Sequence, residues 1–223
     1  VSSREVVLRR VRQALGRDGA PDADDVVRGE AAVAAAAAYS RSGDLGPEAR
    51  ADLFAERAGE YRVTIRRVAA AAVTEAITAE LTDRGARAVA APADLPEAWR
   101  VPGVRWETDG RDGVLLGTET LDGCDAVVTG CALAIAETGT IVFDAGALQG
   151  RRLLTLLPDL HVCVVAQEQI VQTVPEAVAA SLAAARKGAP ITWVSGPSAT
   201  SDIELERVEG VHGPRTLVVL LVG

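Results

Sequence analysis

HVCVVA, residues His161–Ala166, and TLVVLLV, residues Thr216–Val222, decide the fold. Each is an unbroken run of β-branched and apolar residues without the in–out alternation of a strand that has one wet face. A strand apolar on both faces is covered on both faces, as in a parallel sheet flanked by helices. Working outward, Asp125–Thr129, Thr140–Phe143 and Ile191–Ser195 read as further strands, with helix candidates at Arg151–Leu157 and Ile170–Arg186. Upstream, Pro47–Glu60 reads as a helix with Pro in its first turn and Leu53, Phe54 and Ala58 on one side. A β-rich run (Tyr61–Val68), an Ala-rich helix (Ala69–Arg84) and a short strand (Ala88–Ala91) follow. The alternation predicts an α/β fold whose mostly parallel sheet is covered by helices. Trp99–Asp112, two Trp among several charges, reads as an irregular connection or a hairpin, and no internal repeat is visible.

Residues 1–46 read as an arm outside this alternation, and 47–223 as the α/β domain. Ser2 and Glu5 form a capping-box pair, and Val7, Leu8, Val11, Ala14 and Leu15 recur at helical spacing among Arg4, Arg9, Arg10 and Arg12. This basic amphipathic helix suits docking on its own domain or on a partner before a membrane surface or a targeting role. Gly16–Pro47, rich in Gly, Asp and Ala, reads as a linker or loosely packed arm, so deleting residues 1–45 is expected to leave a folded core.

The chain carries 23 basic and 31 acidic side chains, a formal charge of −8. That balance argues against a general binder of nucleic-acid backbone. The longest apolar runs, Ala31–Tyr39 and Leu217–Val222, fall far short of the roughly 20 residues of a membrane span, so no transmembrane segment is expected. Cys124, Cys131 and Cys163 are odd in number and show no CxxC, which fits reduced thiols and a cytoplasmic location.

Ligands of open α/β sheets bind where strands run into loops at their carboxyl ends. Two polar, Gly-containing segments stand beside predicted strands: AETGT (Ala136–Thr140) and SGPSATSDIE (Ser195–Glu204). Thr138, Gly139, Thr140, Ser195, Gly196, Ser198 and Thr200, with Arg215 downstream, suit a small anion: hydroxyls donate, and glycines let backbone N–H groups approach. The alternative is a hydroxyl-rich turn that caps its own backbone. If both loops follow strands of one parallel sheet, they face one another across a single anion-binding cleft at its carboxyl edge. Glu137 is then a candidate nucleophile or base, or the partner of Arg151, Arg152 or Arg215. His212, in GVHGP, can present its ring at a site edge or serve as a structural hydrogen bonder. His161, Cys163 and Cys131 lack a fourth ligand at zinc spacing, so a packed strand histidine is the expectation and no metal site is assigned. Ser198, His212 and Asp202 make a triad on paper only, because no GxSxG elbow occurs.

AIAETGTIVF (134–143), RRLLTLLPDLHVCVV (151–165) and SGPSATSDIELERVEGVHGPRTLVVLLV (195–222), in this order and spacing, resemble the LUD domain family, and within it the C-type lactate utilisation proteins. The resemblance spans about residues 47–223. It implies a fold like that of ribose-phosphate isomerase, glucosamine-phosphate isomerase and the CoA transferases. It also implies a place in a three-component system oxidising L-lactate to pyruvate, whose other subunits carry iron–sulfur clusters. This chain has no CxxCxxC spacing, so no iron–sulfur cluster is expected in it. The other reading is a stand-alone enzyme of that fold group, acting on a phosphate- or CoA-bearing substrate through Glu137.

Overall fold

A computed structural model describes residues 3–16, 40–201, 207–209 and 213–223, with backbone alone at 199–201 and 207–209. The chain divides into two units, residues 1–40 and 41–223. In the first, helix α1 (Ser3–Ala14) has Glu5 in its first turn and Arg12 in its last, and none of its residues is buried. Val7, Leu8, Val11 and Leu15 stand exposed.

The second unit is built on a six-stranded, wholly parallel sheet. It contains β1 (Thr64–Val68), β2 (Ala88–Pro92), β3 (Arg105–Asp109), β4 (Ala126–Thr129), β7 (Leu160–Ala166) and β12 (Thr216–Val222), in the order β1-β12-β7-β4-β2-β3. The two deciding runs are neighbours at its centre, with Leu217 opposite His161 and Val222 opposite Ala166. One face, carrying Val162, Val164, Val218 and Leu220, packs against Ile77 and Leu81 of helix α3 (Val73–Asp83). Burying each such side chain contributes about 1.5–3 kcal/mol.

The other face carries Cys163, Val165, Val219 and Leu221. It packs on Phe54 and Ala58 of helix α2 (Pro47–Glu60) and on a second, four-stranded sheet. That sheet has the order β8-β5-β6-β9, made of β5 (Leu133–Ile135), β6 (Thr140–Phe143), β8 (Ile170–Val171) and β9 (Thr192–Val194). Its pairings are antiparallel except β5 with β8. Helix α5 (Val174–Arg186) covers its outer side through Ala177. A capping box starts α5, Thr173 Oγ1 accepting from the Glu176 N–H while Glu176 accepts from the Thr173 N–H. The short helix α4 (Thr118–Asp122) and the hairpin β10 (Ala199–Ser201) and β11 (Arg207–Glu209) complete the described elements.

The α/β reading with a mostly parallel sheet holds, with four corrections. Thr140–Phe143 and Ile191–Ser195 do not join the parallel sheet; they pair with each other in the second one. Trp99–Asp112 holds β3, whose alternating charges RWETD suit an edge strand with only Asp109 buried. Arg151–Leu157 closes into a 3-10 turn at Arg152–Thr155 rather than an α-helix. The expected helix from Ile170 begins four residues later, because Ile170 and Val171 are taken by β8. Among the described residues no helix is long and apolar enough to cross a membrane.

Candidate functional site

AETGT is the turn of the β5–β6 hairpin, and Ser195 directly follows β9. Ile141 pairs with Val194, so Thr140 and Ser195 meet one step further along the same two strands. Their hydroxyl oxygens are 2.7 Å apart, and Thr138 Oγ1 lies 2.7 Å from Thr140 Oγ1, giving a chain of three hydroxyls. The two loops therefore come together, but by antiparallel pairing in the second sheet and not at the carboxyl edge of the parallel one.

Their glycines have another use than the expected approach to an oxyanion. Gly139, at φ +60°, is pressed against the last turn of α2: a Cβ there would lie 2.4 Å from the Ala58 nitrogen and 2.6 Å from the Arg57 carbonyl carbon. Gly196, at φ +97°, lies against Tyr61, where a Cβ would come within 2.9 Å of the Tyr61 oxygen. Both positions need left-handed backbone and the absence of a side chain. Glu137 is exposed; it receives a long hydrogen bond from Gln172 Nε2 at 3.4 Å. Arg151 is committed elsewhere, bidentate to Asp109 at 2.9 and 3.0 Å. The side chain of Thr200 and the whole of Asp202 and His212 lie outside the described residues.

Among the described residues, three sizeable cavities bordering the sheet differ in the sign of their charges. The first, about 620 Å³, lies at the carboxyl ends of β4, β7 and β12. Among the described residues its only charged lining residues are Asp144 and Glu168, which repel an anion. Its thiol, Cys131, is held protonated well above the ordinary range by its contact with Cys163 and by burial. The second, about 800 Å³ at the amino ends of β4, β7 and β12, contains Arg215, but Arg215 faces Asp159 at 3.6 Å and Arg84 is paired with Glu80. Asp122 and Asp125 add further negative charge there. Arg215 thus belongs to this mixed-charge cavity and not to the hydroxyl loops.

The third cavity, about 400 Å³, is bounded by the turn Ser195–Ser198, β9, Pro214, the 3-10 turn and the first residues of β7 and β12. Among the described residues, Arg152 is the only charged one in its lining. The guanidinium donates from Nη1 to Thr192 Oγ1 at 2.8 Å and forms no ion pair among the described residues. The Ser198 N–H donates to the Pro214 carbonyl at 2.8 Å, which fixes the turn against the strand entering β12. His161 forms part of the wall. Burial pushes its pKa down to about 4, so the ring is neutral near pH 7. A cation among hydroxyls and a neutral imidazole is complementary to a small anion.

Ser195, Gly196 and Ser198 are brought to this cavity as the sequence suggested, with Thr138 and Thr140 attached through Ser195. Sequence reasoning missed Arg152 and His161 as its members. The sequence offers Arg152 as a partner for Glu137, and His161 as a packed strand residue or an incomplete zinc ligand, but neither as part of an anion cavity. Among the described residues no group of three or more His, Cys, Asp or Glu is arranged to hold a metal ion.

The LUD domain matches residues 117–222, which include the hairpin, the 3-10 turn, β7, the Ser195 turn and β12. A "Lactate utilization protein C" of Deinococcus radiodurans is 51% identical over 180 residues, 79% of this chain and 82% of that one. Another of that name, from Bacillus velezensis, is 29% identical over 133 residues, covering 57% of this chain and 54% of that one. A crystal structure of a DUF162 family protein from Deinococcus radiodurans superposes with a TM-score of 0.69 at 42% identity, covering 81% of this chain and all of that one. With both sequence and architecture shared over four-fifths of its length, this chain belongs to the LUD domain family.

Proposed function

We propose that this chain is a component of a lactate utilisation system that oxidises L-lactate to pyruvate, and that it binds a small anionic ligand at the Ser195–Ser198 turn. The observation that carries the reading is the 51% identity, over 82% of its length, to a protein named for lactate utilisation. The Arg152 charge in the adjoining cavity, the only one among its described lining residues, supports the ligand's sign. The subunit works in the cytoplasm without an iron–sulfur cluster of its own, beside partner subunits that carry the clusters. Helix α1 docks those partners through Val7, Leu8, Val11 and Leu15, whose exposure suits a helix seeking an apolar groove.

The stand-alone enzyme reading needs Glu137 at the ligand. That carboxylate sits on a hairpin turn and does not line the cavity. The experiment is deletion of the gene in its host and growth on L-lactate as sole carbon source, with complementation by the full chain or by residues 41–223. Loss of growth restored only by the full chain is expected. Unimpaired growth of the deletion strain rejects the reading.

A further inference from the structure

His161 is 2% exposed and stands at the beginning of β7, against the anion cavity. Its Nε2 lies 2.7 Å from Thr129 Oγ1, while Nδ1 has no hydrogen-bond partner among the described residues. Thr129 is fully buried, and His161 Nε2 is the only partner of its hydroxyl there. A buried hydroxyl proton without an acceptor costs about 1–3 kcal/mol. Thr129 therefore donates to Nε2, and the single proton of the neutral ring sits on Nδ1. Arg50 Nε is the one sealed and unpartnered polar side-chain atom among the described residues. Nδ1 is thus not sealed, and the ring that carries it lines the cavity.

An N–H donor from His161 and a guanidinium from Arg152 consequently border the same space, with no carboxylate among its described lining residues. Leu156, Ile191 and Leu217 supply apolar wall. One cation and one neutral donor match a monoanion; a phosphate dianion would leave charge uncompensated against the apolar wall. We infer that Arg152 and the Nδ1–H of His161 together bind the carboxylate of a small organic acid, its short carbon body resting on the leucines. This rests on the anion-site reading above and adds to it the residues that hold the ligand and the ligand's class.

The chain has two histidines, so a sample labelled with nitrogen-15 histidine shows two rings, and His212→Gln leaves His161 alone. The full chain is titrated with sodium pyruvate, sodium L-lactate and inorganic phosphate at matched ionic strength. The expected result has three parts: the proton on Nδ1 in the free protein, a His161 shift that saturates with pyruvate or L-lactate, and an affinity about tenfold or more weaker in Arg152→Gln. Arg152 is exposed, so the variant keeps the fold, which its melting curve verifies. The inference is overturned by a proton on Nε2, by no saturable carboxylate binding, by binding that leaves His161 unmoved or Arg152→Gln unweakened, or by phosphate binding more tightly. Growth separates the two proposals. A deletion strain that grows normally on lactate rejects the lactate role, whereas full rescue by Arg152→Gln rejects the pocket alone.

Discussion

Thr140 Oγ1 and Ser195 Oγ lie 2.7 Å apart and join two loops that are 55 residues distant in the chain. Thr140 is 3% exposed while Ser195 faces solvent, so the contact ties a surface turn to a buried strand. Thr140→Val keeps the shape of the side chain and removes the tie. It should lower stability by about 0.5–1.5 kcal/mol and weaken anion binding at the turn. Urea unfolding and ligand titration check both; unchanged values in each would show the contact to be incidental.

Gly139→Ala should cost more than about 2 kcal/mol. It places a Cβ against the Ala58 and Arg57 backbone and forces a left-handed conformation on alanine. Gly59→Ala is the control: it lies within α2 with open space beside it, and it should be neutral or stabilising by up to about 1 kcal/mol. Equal destabilisation by the two substitutions in chemical denaturation contradicts the close approach of hairpin and helix.

Acid should weaken the fold through His161. The ring's pKa is lowered from 6.5 to about 4 by burial, so the unfolded chain takes up a proton before the native one does. Its stabilising contribution is full above pH 6.5 and is lost as the pH falls toward 4, with a slope approaching about 1.4 kcal/mol per pH unit. Asp125 and Glu176, whose carboxyls are held below their usual range largely by backbone N–H donors, lose their contributions at lower pH still. In a His212→Gln background, urea unfolding at pH 7 and pH 5 should differ markedly. Adding His161→Gln should flatten that difference, and an unchanged slope would show that the ring is not buried neutral.

Residues 41–46 belong to the α/β unit by their hydrogen bonds. The Gly43 N–H donates to Glu176 Oε1 at 3.3 Å and the Leu45 N–H to Gln172 Oε1 at 2.8 Å. We propose that 41–223 folds alone with the melting temperature of the full chain, and that 47–223 melts lower. Equal melting of the two truncations would remove these anchors from the account.

The centre of the fold was legible because burial on both faces writes itself into local sequence, as in HVCVVA and TLVVLLV. Partner choice among strands is not local. TIVF at 140–143 looks as buried as AVVT at 126–129, yet one belongs to the antiparallel sheet and the other to the parallel one. RWETD was missed because an edge strand keeps its charges. The hydroxyl loops could be read from composition, since Ser, Thr and Gly clusters are rare inside apolar strands. The cavity beside them could not, because Arg152, His161 and Ser198 converge only once three separate elements have packed. The sequence offers Gly139 and Gly196 as open approaches to a ligand, and only the packing of α2 and of Tyr61 just beyond it shows that protein atoms occupy the space at their Cβ positions.

The central claim is an anion site at the Ser195–Ser198 turn. Ser198→Asp puts a negative charge on its rim while leaving the core untouched, whereas Glu137→Gln alters a carboxylate outside the cavity. Isothermal titration of wild-type, Ser198→Asp and Glu137→Gln proteins with sodium pyruvate is the most direct measurement. The account predicts saturable binding to wild-type and Glu137→Gln, and its loss in a Ser198→Asp protein that still melts cooperatively. Wild-type affinity in Ser198→Asp contradicts it.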